Sequence, residues 1–134
     1  MRPIPIGTRG TFTMLVQPQH LANAFKDPIL PEVFATPIMV LAMENAALNA
    51  MKPYLEPGES AVGTGVNVQH IAATPVGHRV EATAVVTKAD GRTIEFDVSA
   101  RDGTEEIGRG THVRAVVDVA RLNKRLAAKS SRGD

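Results

Sequence analysis

A chain of 134 residues that is 43% hydrophobic and 22% charged has the length and balance of one soluble domain over residues 1–134, with a basic tail over about 119–134. A net charge of +1 gives no general attraction to nucleic acid or membrane, and zero cysteines exclude disulfides, thiolate metal sites and a cysteine nucleophile. Because no apolar run suits a signal peptide or a bilayer span, we expect a cytoplasmic protein.

The first half of the sequence predicts one strand and one long helix. Residues 8–16 alternate loosely and predict the strand, after which a proline-rich loop contains one helical turn. Residues 34–51, FATPIMVLAMENAALNAM, are almost wholly apolar and predict a helix. Thr36 followed by Pro37 is a common helix start, with the threonine as N-cap and the proline at the first helical position.

Four more strands are predicted in the second half. The first runs from about residue 61 to 71, with Val62, Val66 and Val68 on one face. It also contains Gly63 and Gly65, and glycine inside a strand often marks a bulge or a close approach to a ligand.

The last three strands read as an antiparallel meander. Two hairpin signals separate them, Asp90-Gly91 and Asp102-Gly103, and the final strand covers roughly 107–118. The apolar alternation in the first two of these strands predicts a buried face made of Val80, Ala82, Ala84, Val86, Ile94, Phe96, Val98 and Ala100. Only the long helix is apolar enough to cover that face, so we expect an α+β fold in which a curved antiparallel sheet wraps around one helix.

Glu44 is a charged residue on a side of the predicted helix that is otherwise apolar. On a helical wheel it lies away from the polar stripe of Asn45, Asn49 and Lys52, and no lysine or arginine lies three or four residues from it. A carboxylate in that position must find a polar partner elsewhere in the fold or become protonated. The alternative interpretation is a glutamate that reaches water along its flexible stem.

His70 is the second candidate, because it keeps phase with Val66 and Val68 and therefore points to the helix-facing side of its strand. A histidine there is more often a core residue with its hydrogen bonds satisfied. If it meets Thr36 and Glu44 instead, a hydroxyl, a carboxylate and an imidazole converge beside an apolar surface, which would suit acyl transfer.

Three segments carry a resemblance to a known family: FATPIMVLAMENAA, VGTGVNVQHIAATPVG and GRGTHVRAVVD. Together they resemble the hotdog-fold thioesterases, nearest to the fluoroacetyl-CoA thioesterase type. The resemblance implies a hotdog fold, with a five-stranded antiparallel sheet wrapped around a central helix. It also implies catalytic roles for Thr36, Glu44 and His70, and substrate-binding roles for Gly63 and Arg114.

The same resemblance implies hydrolysis of an acyl-CoA thioester by a homodimer with active sites at or near the subunit interface. Coenzyme A would be part of the substrate, and we expect no cofactor, no metal, no nucleic acid and no membrane as partners. One segment departs from the family: KDPILPEV has Leu30 where a bulky aromatic lid residue is expected, so the particular acyl group is not carried over. An acyl-CoA hydratase or dehydratase and a non-catalytic acyl-CoA binding module remain as alternatives.

Two residues of the last strand keep several interpretations. We expect His112 to be a packing or interface residue. Arg114 would bind a coenzyme A phosphate, pair with Glu44 or Asp118, or simply face solvent at an edge.

Overall fold

The computed structural model describes residues 1–132, in which five strands form one antiparallel sheet with the order β1-β3-β4-β5-β2. The strands are β1 (Arg9–Leu15), β2 (Glu59–His70), β3 (Arg79–Asp90), β4 (Thr93–Arg101) and β5 (Glu106–Asp118). The helices are α1 (Ala22–Phe25), α2 (Thr36–Met51) and α3 (Val119–Arg132), and short 3-10 helices cover Pro18–His20 and Lys52–Tyr54. The predicted order of strand, long helix and four strands is confirmed, and so is the hotdog architecture.

The core lies between α2 and the sheet. All eight residues predicted for the buried face of β3 and β4 are buried, as are the alanines and methionines of α2 that face them. Small side chains let the helix approach the sheet closely: a Cβ at Gly10 of β1 would overlap the Ala46 carbonyl oxygen. This close contact fixes where the C-terminal half of α2 lies relative to β1.

The prediction that Val62 lies on the same face of β2 as Val66 and Val68 is wrong. The strand register shifts between Gly63, which pairs with Arg114, and Gly65, which pairs with Val113. This bulge, which the glycines predicted, changes the alternation, because two residues of one strand then oppose one of the other. Val62 therefore faces away from α2, whereas Val66 faces it.

The start of α2 also differs from its prediction. Ala35 is the N-cap residue, and Thr36 and Pro37 are the first two helical residues. Among residues 1–132, no side chain caps this end of the helix. The Thr36 hydroxyl is therefore not the N-cap ligand that the Thr-Pro pattern predicted.

Both predicted hairpins are present, but the first is displaced by one residue. Asp90 pairs with Thr93, so the two-residue loop is Gly91–Arg92, and Gly91 has a φ of +62°. In the second loop, buried Asp102 accepts hydrogen bonds from Thr104 at 2.8 Å and from Thr74 at 2.9 Å. Burial raises the pKa of this carboxyl, but the hydrogen bonds outweigh it and lower the pKa to about 2.

The basic C-terminal segment is more helical than predicted. The sequence suggested a short helix in its first half, but α3 continues to Arg132, and residues 133–134 lie outside the described residues. Within residues 1–132, no helix is long and apolar enough to cross a membrane. The single-domain organisation over residues 1–134 stays a prediction.

Candidate active site

The first polar pair joins the start of α2 to the end of β2. Thr36 Oγ1 and His70 Nδ1 share a hydrogen bond of 2.9 Å. The Phe34 ring meets the imidazole edge-on, with 6.5 Å between ring centroids. The structure thus brings together two of the three predicted catalytic residues, and His70 faces α2 as its phase in the strand predicted.

This pair lines an apolar cavity of about 390 Å³, whose wall includes Leu30, Phe34 and Ile71. Burial lowers the pKa of His70 below its usual value, so the imidazole is neutral at pH 7. Its Nε2 atom is buried and has no hydrogen-bond partner within the described part of the chain. A neutral imidazole that contacts a hydroxyl can accept a proton from water or from that hydroxyl.

The second polar cluster surrounds Glu44 in the middle of α2. Its Oε2 lies 3.9 Å from Arg114 Nη1, and Arg114 also donates a 3.0 Å hydrogen bond from Nη2 to the Ala61 carbonyl. Arg114 is only 7% exposed, so the interpretation as a solvent-facing edge arginine is wrong. Its carboxylate partner is Glu44, which answers the question of where that glutamate finds a counter-charge.

Gly63 lies against this ion pair. A Cβ atom at residue 63 would come within 2.7 Å of Glu44 Oε2 and within 3.5 Å of Arg114 Nη1. Only a residue without a side chain therefore allows the carboxylate to lie directly on β2. Gly63 and Arg114, the two predicted substrate-binding residues, share this cluster with Glu44.

His112 belongs to the same cluster. The sequence predicted that it packs or lies at an interface, but not that it contacts Arg114. His112 is 1% exposed, and its ring stacks on Phe96 with 6.1 Å between centroids. Its Nε2 lies 3.2 Å from Arg114 Nη1. The alternation of β5, with Val116 buried, would have placed residues 112 and 114 on the helix-facing side.

Within one chain the two clusters stay apart. Glu44 lies eight positions after Thr36 in α2, which is about 12 Å along the helix axis. Since His70 contacts Thr36, Glu44 is not placed beside His70 in the same protomer. The predicted convergence of all three side chains therefore does not occur within the described chain.

Strand β2 connects the two clusters, because Gly63 belongs to one of them and His70 to the other. Within residues 1–132, β2 pairs with β5 alone. Two of its valines are partly exposed, Val62 at 38% and Val66 at 46%. A long edge strand with apolar side chains is a template for pairing with another chain.

No metal centre is evident in the described ranges. No group of three or more histidine, cysteine, aspartate or glutamate residues in 1–132 lies close enough together to hold an ion.

Comparison with solved structures first defines the class. A Thermus thermophilus protein of the thioesterase superfamily matches with a TM-score of 0.92 and 29% identity, over 98% of this chain and 97% of that one. The fold is thus that of a hotdog-fold thioesterase, a thioester hydrolase.

The family follows from closer matches. Residues 16–120 match the model of FlK, the fluoroacetyl-CoA-specific thioesterase, and the chain belongs to that family. The fluoroacetyl-CoA thioesterase of Streptantibioticus cattleyicolor is 50% identical over 96% of both chains. A solved structure of the fluoroacetyl-CoA thioesterase FlK matches with a TM-score of 0.90 and 42% identity, over 95% of this chain and 98% of that one.

Proposed function

We propose that the protein hydrolyses the thioester of small acyl-CoA molecules, fluoroacetyl-CoA among them, to the free acid and coenzyme A. The observation that carries this proposal is the Thr36–His70 hydrogen bond at the wall of an apolar cavity. Membership of the family adds the substrate class, since the curated relative is a fluoroacetyl-CoA thioesterase and a substituted FlK has been solved with acetyl-CoA.

The proposed site is built from two copies of the chain. Antiparallel pairing of two β2 edges about a two-fold axis near Val66 would place Gly63 of one protomer opposite the end of β2, and so near His70, of the other. The Glu44–Arg114 pair lies directly on Gly63. The carboxylate of one protomer would thereby face the Thr36–His70 pair of its partner, which restores the predicted constellation across the interface.

In the proposed reaction, His70 acts as the general base. It takes a proton from water, and the oxygen attacks the thioester carbonyl carbon while Thr36 donates a hydrogen bond to the substrate. When the carbon–sulfur bond breaks, the thiolate of coenzyme A takes the proton back from the imidazolium. Glu44 stabilises the positive charge on that ring, or attacks the carbonyl itself and is then released by water. No cofactor takes part, because coenzyme A enters only as the leaving group.

Leu30 sets the acyl preference in this proposal. It lines the same cavity as Phe34, at the position where the family is expected to carry an aromatic lid. A leucine leaves more freedom for the bound acyl group than an aromatic ring does. We therefore expect a smaller preference for fluoroacetyl-CoA over acetyl-CoA than an aromatic residue would give.

The test is a panel of acyl-CoA thioesters with a thiol reagent and product analysis by chromatography. Hydrolysis yields free acid and thiol, whereas a hydratase leaves the thioester intact and a binding module gives no turnover. His70→Ala and Glu44→Gln should each lower kcat/KM by at least about 100-fold. Parental rates in both variants would refute the assignments, and Leu30→Phe should increase the fluoroacetyl-to-acetyl ratio.

A further inference from the structure

His112 is a buried imidazole with a hydrogen-bond partner on each side. Its Nδ1 lies 2.8 Å from the Gly65 carbonyl oxygen at the bulge of β2. Its Nε2 lies 3.2 Å from Arg114 Nη1. The ring stacks on Phe96 at an interplanar angle of 25°, so packing from β4 holds its plane.

These two partners determine where the ring carries its proton. A carbonyl oxygen only accepts hydrogen bonds, so Nδ1 must carry the proton and donate it to Gly65. A guanidinium only donates, so Nε2 must present a lone pair to Arg114. His112 is therefore neutral and fixed in the Nδ1–H tautomer.

Arg114 depends on this acceptor for its orientation. Its Nη2 is held by the Ala61 carbonyl, and its Nη1 lies between His112 and Glu44. The Nε atom is buried and has no hydrogen-bond partner within residues 1–132. Without the lone pair of His112, one of the contacts that fix the guanidinium plane is lost.

We propose that His112 is a positioning residue, which links the Gly65 carbonyl to Arg114 and thereby sets the place of the Glu44 carboxylate on Gly63. This inference rests on the proposed thioesterase function. His112 touches neither the Thr36–His70 pair nor the cavity beside it, so its effect on the reaction passes through Arg114.

Acid breaks this chain of contacts. A second proton on His112 would replace the Nε2 lone pair with a donor that points at the Arg114 donor, and would place two positive charges next to each other. Of the groups facing the ring, Arg114 on β5 and Glu44 on α2 are charged, whereas Phe96 on β4 and the Gly65 carbonyl on β2 are neutral. Burial is the main cause that lowers the pKa of His112, and Arg114 adds to it.

The main test is a double-mutant cycle of His112→Phe and Arg114→Met, with kcat/KM and Tm as the readouts. Phenylalanine keeps the ring and its stacking but removes both hydrogen bonds, so kcat/KM should fall about 10- to 100-fold. In the Arg114→Met background the same change should cause no further loss, because the two residues act in series. His112→Gln, which keeps a donor and an acceptor, should recover part of the lost activity.

Parental kcat/KM in His112→Phe would overturn the inference, and so would losses that multiply in the double variant. If His112→Phe does not fold, nitrogen-15 NMR of the imidazole rings in the parent decides. A neutral Nδ1–H tautomer for His112 at pH 8 supports the inference, and an Nε2–H tautomer overturns it. This spectrum needs no turnover, so it separates failure of the inference from failure of the proposed function, which would show as no hydrolysis by the parent.

Discussion

The substitution Gly63→Ala should separate activity from stability. The added Cβ would come within 2.7 Å of Glu44 Oε2, about 0.7 Å inside ordinary contact at 3.4 Å. The carboxylate must therefore retreat. Since it ends a flexible side chain that is 35% exposed, this movement costs little. A displacement of that size at a reacting group should lower kcat/KM by about 10- to 100-fold.

Stability should change by less than about 1 kcal/mol, because alanine also restricts the unfolded chain and this offsets the contact. Gly65→Ala is the matched control: it lies in the same strand, and its Cβ would meet only Val113, at 3.7 Å. The assay is kcat/KM on acetyl-CoA and fluoroacetyl-CoA, with Tm measured by circular dichroism. Equal activity of both alanine variants and the parent would refute the placement of Glu44 against β2.

Three further predictions concern stability. Asp102→Asn should lower the free energy of unfolding by about 2 kcal/mol at pH 7, since the pKa of this carboxyl is lowered from 3.8 to about 2. The difference should shrink as the pH falls from 3.8 through 2, and urea titrations that show no such shrinkage would contradict it. Burial lowers the pKa values of His70 and His112, so the unfolded state binds more protons just below pH 6.5. Stability should therefore be constant above pH 6.5 and fall on acidification towards the folded-state pKa values, which a pH series of Tm would test; an unchanged Tm would contradict it. Gly10→Ala should destabilise by about 3 kcal/mol or more through overlap with the Ala46 carbonyl, and a parental Tm would show that β1 and α2 are further apart.

The sequence predicted the sheet and its covering helix because alternation and turn residues are local signals. Val80 and Phe96 lie on the buried faces that their spacing indicated, and Glu44 was identified as a carboxylate without a neighbour of opposite charge. Val62 was placed on the wrong face because the bulge reverses the alternation, and spacing alone does not locate the extra residue of a bulge.

The side-chain partners within the site were less predictable, because they depend on contacts between segments that are distant in the sequence. The partner of Arg114 lies on a helix seventy residues earlier in the chain, and several acceptors were equally open to it. The hydroxyl of Thr36 had a local interpretation as an N-cap, which the contact with His70 replaces. The division of the site into two clusters follows from helix length and the packing of α2, which residue types do not reveal.

The most direct test of the proposed shared site is complementation between two inactive variants. His70→Ala and Glu44→Gln chains would be co-refolded in equal amounts, so that half of the randomly paired dimers are mixed. Each mixed dimer would contain one site with both residues intact, and the mixture should recover about a quarter of the parental activity. Activity no higher than the mean of the two separate variants would contradict a site shared between two chains.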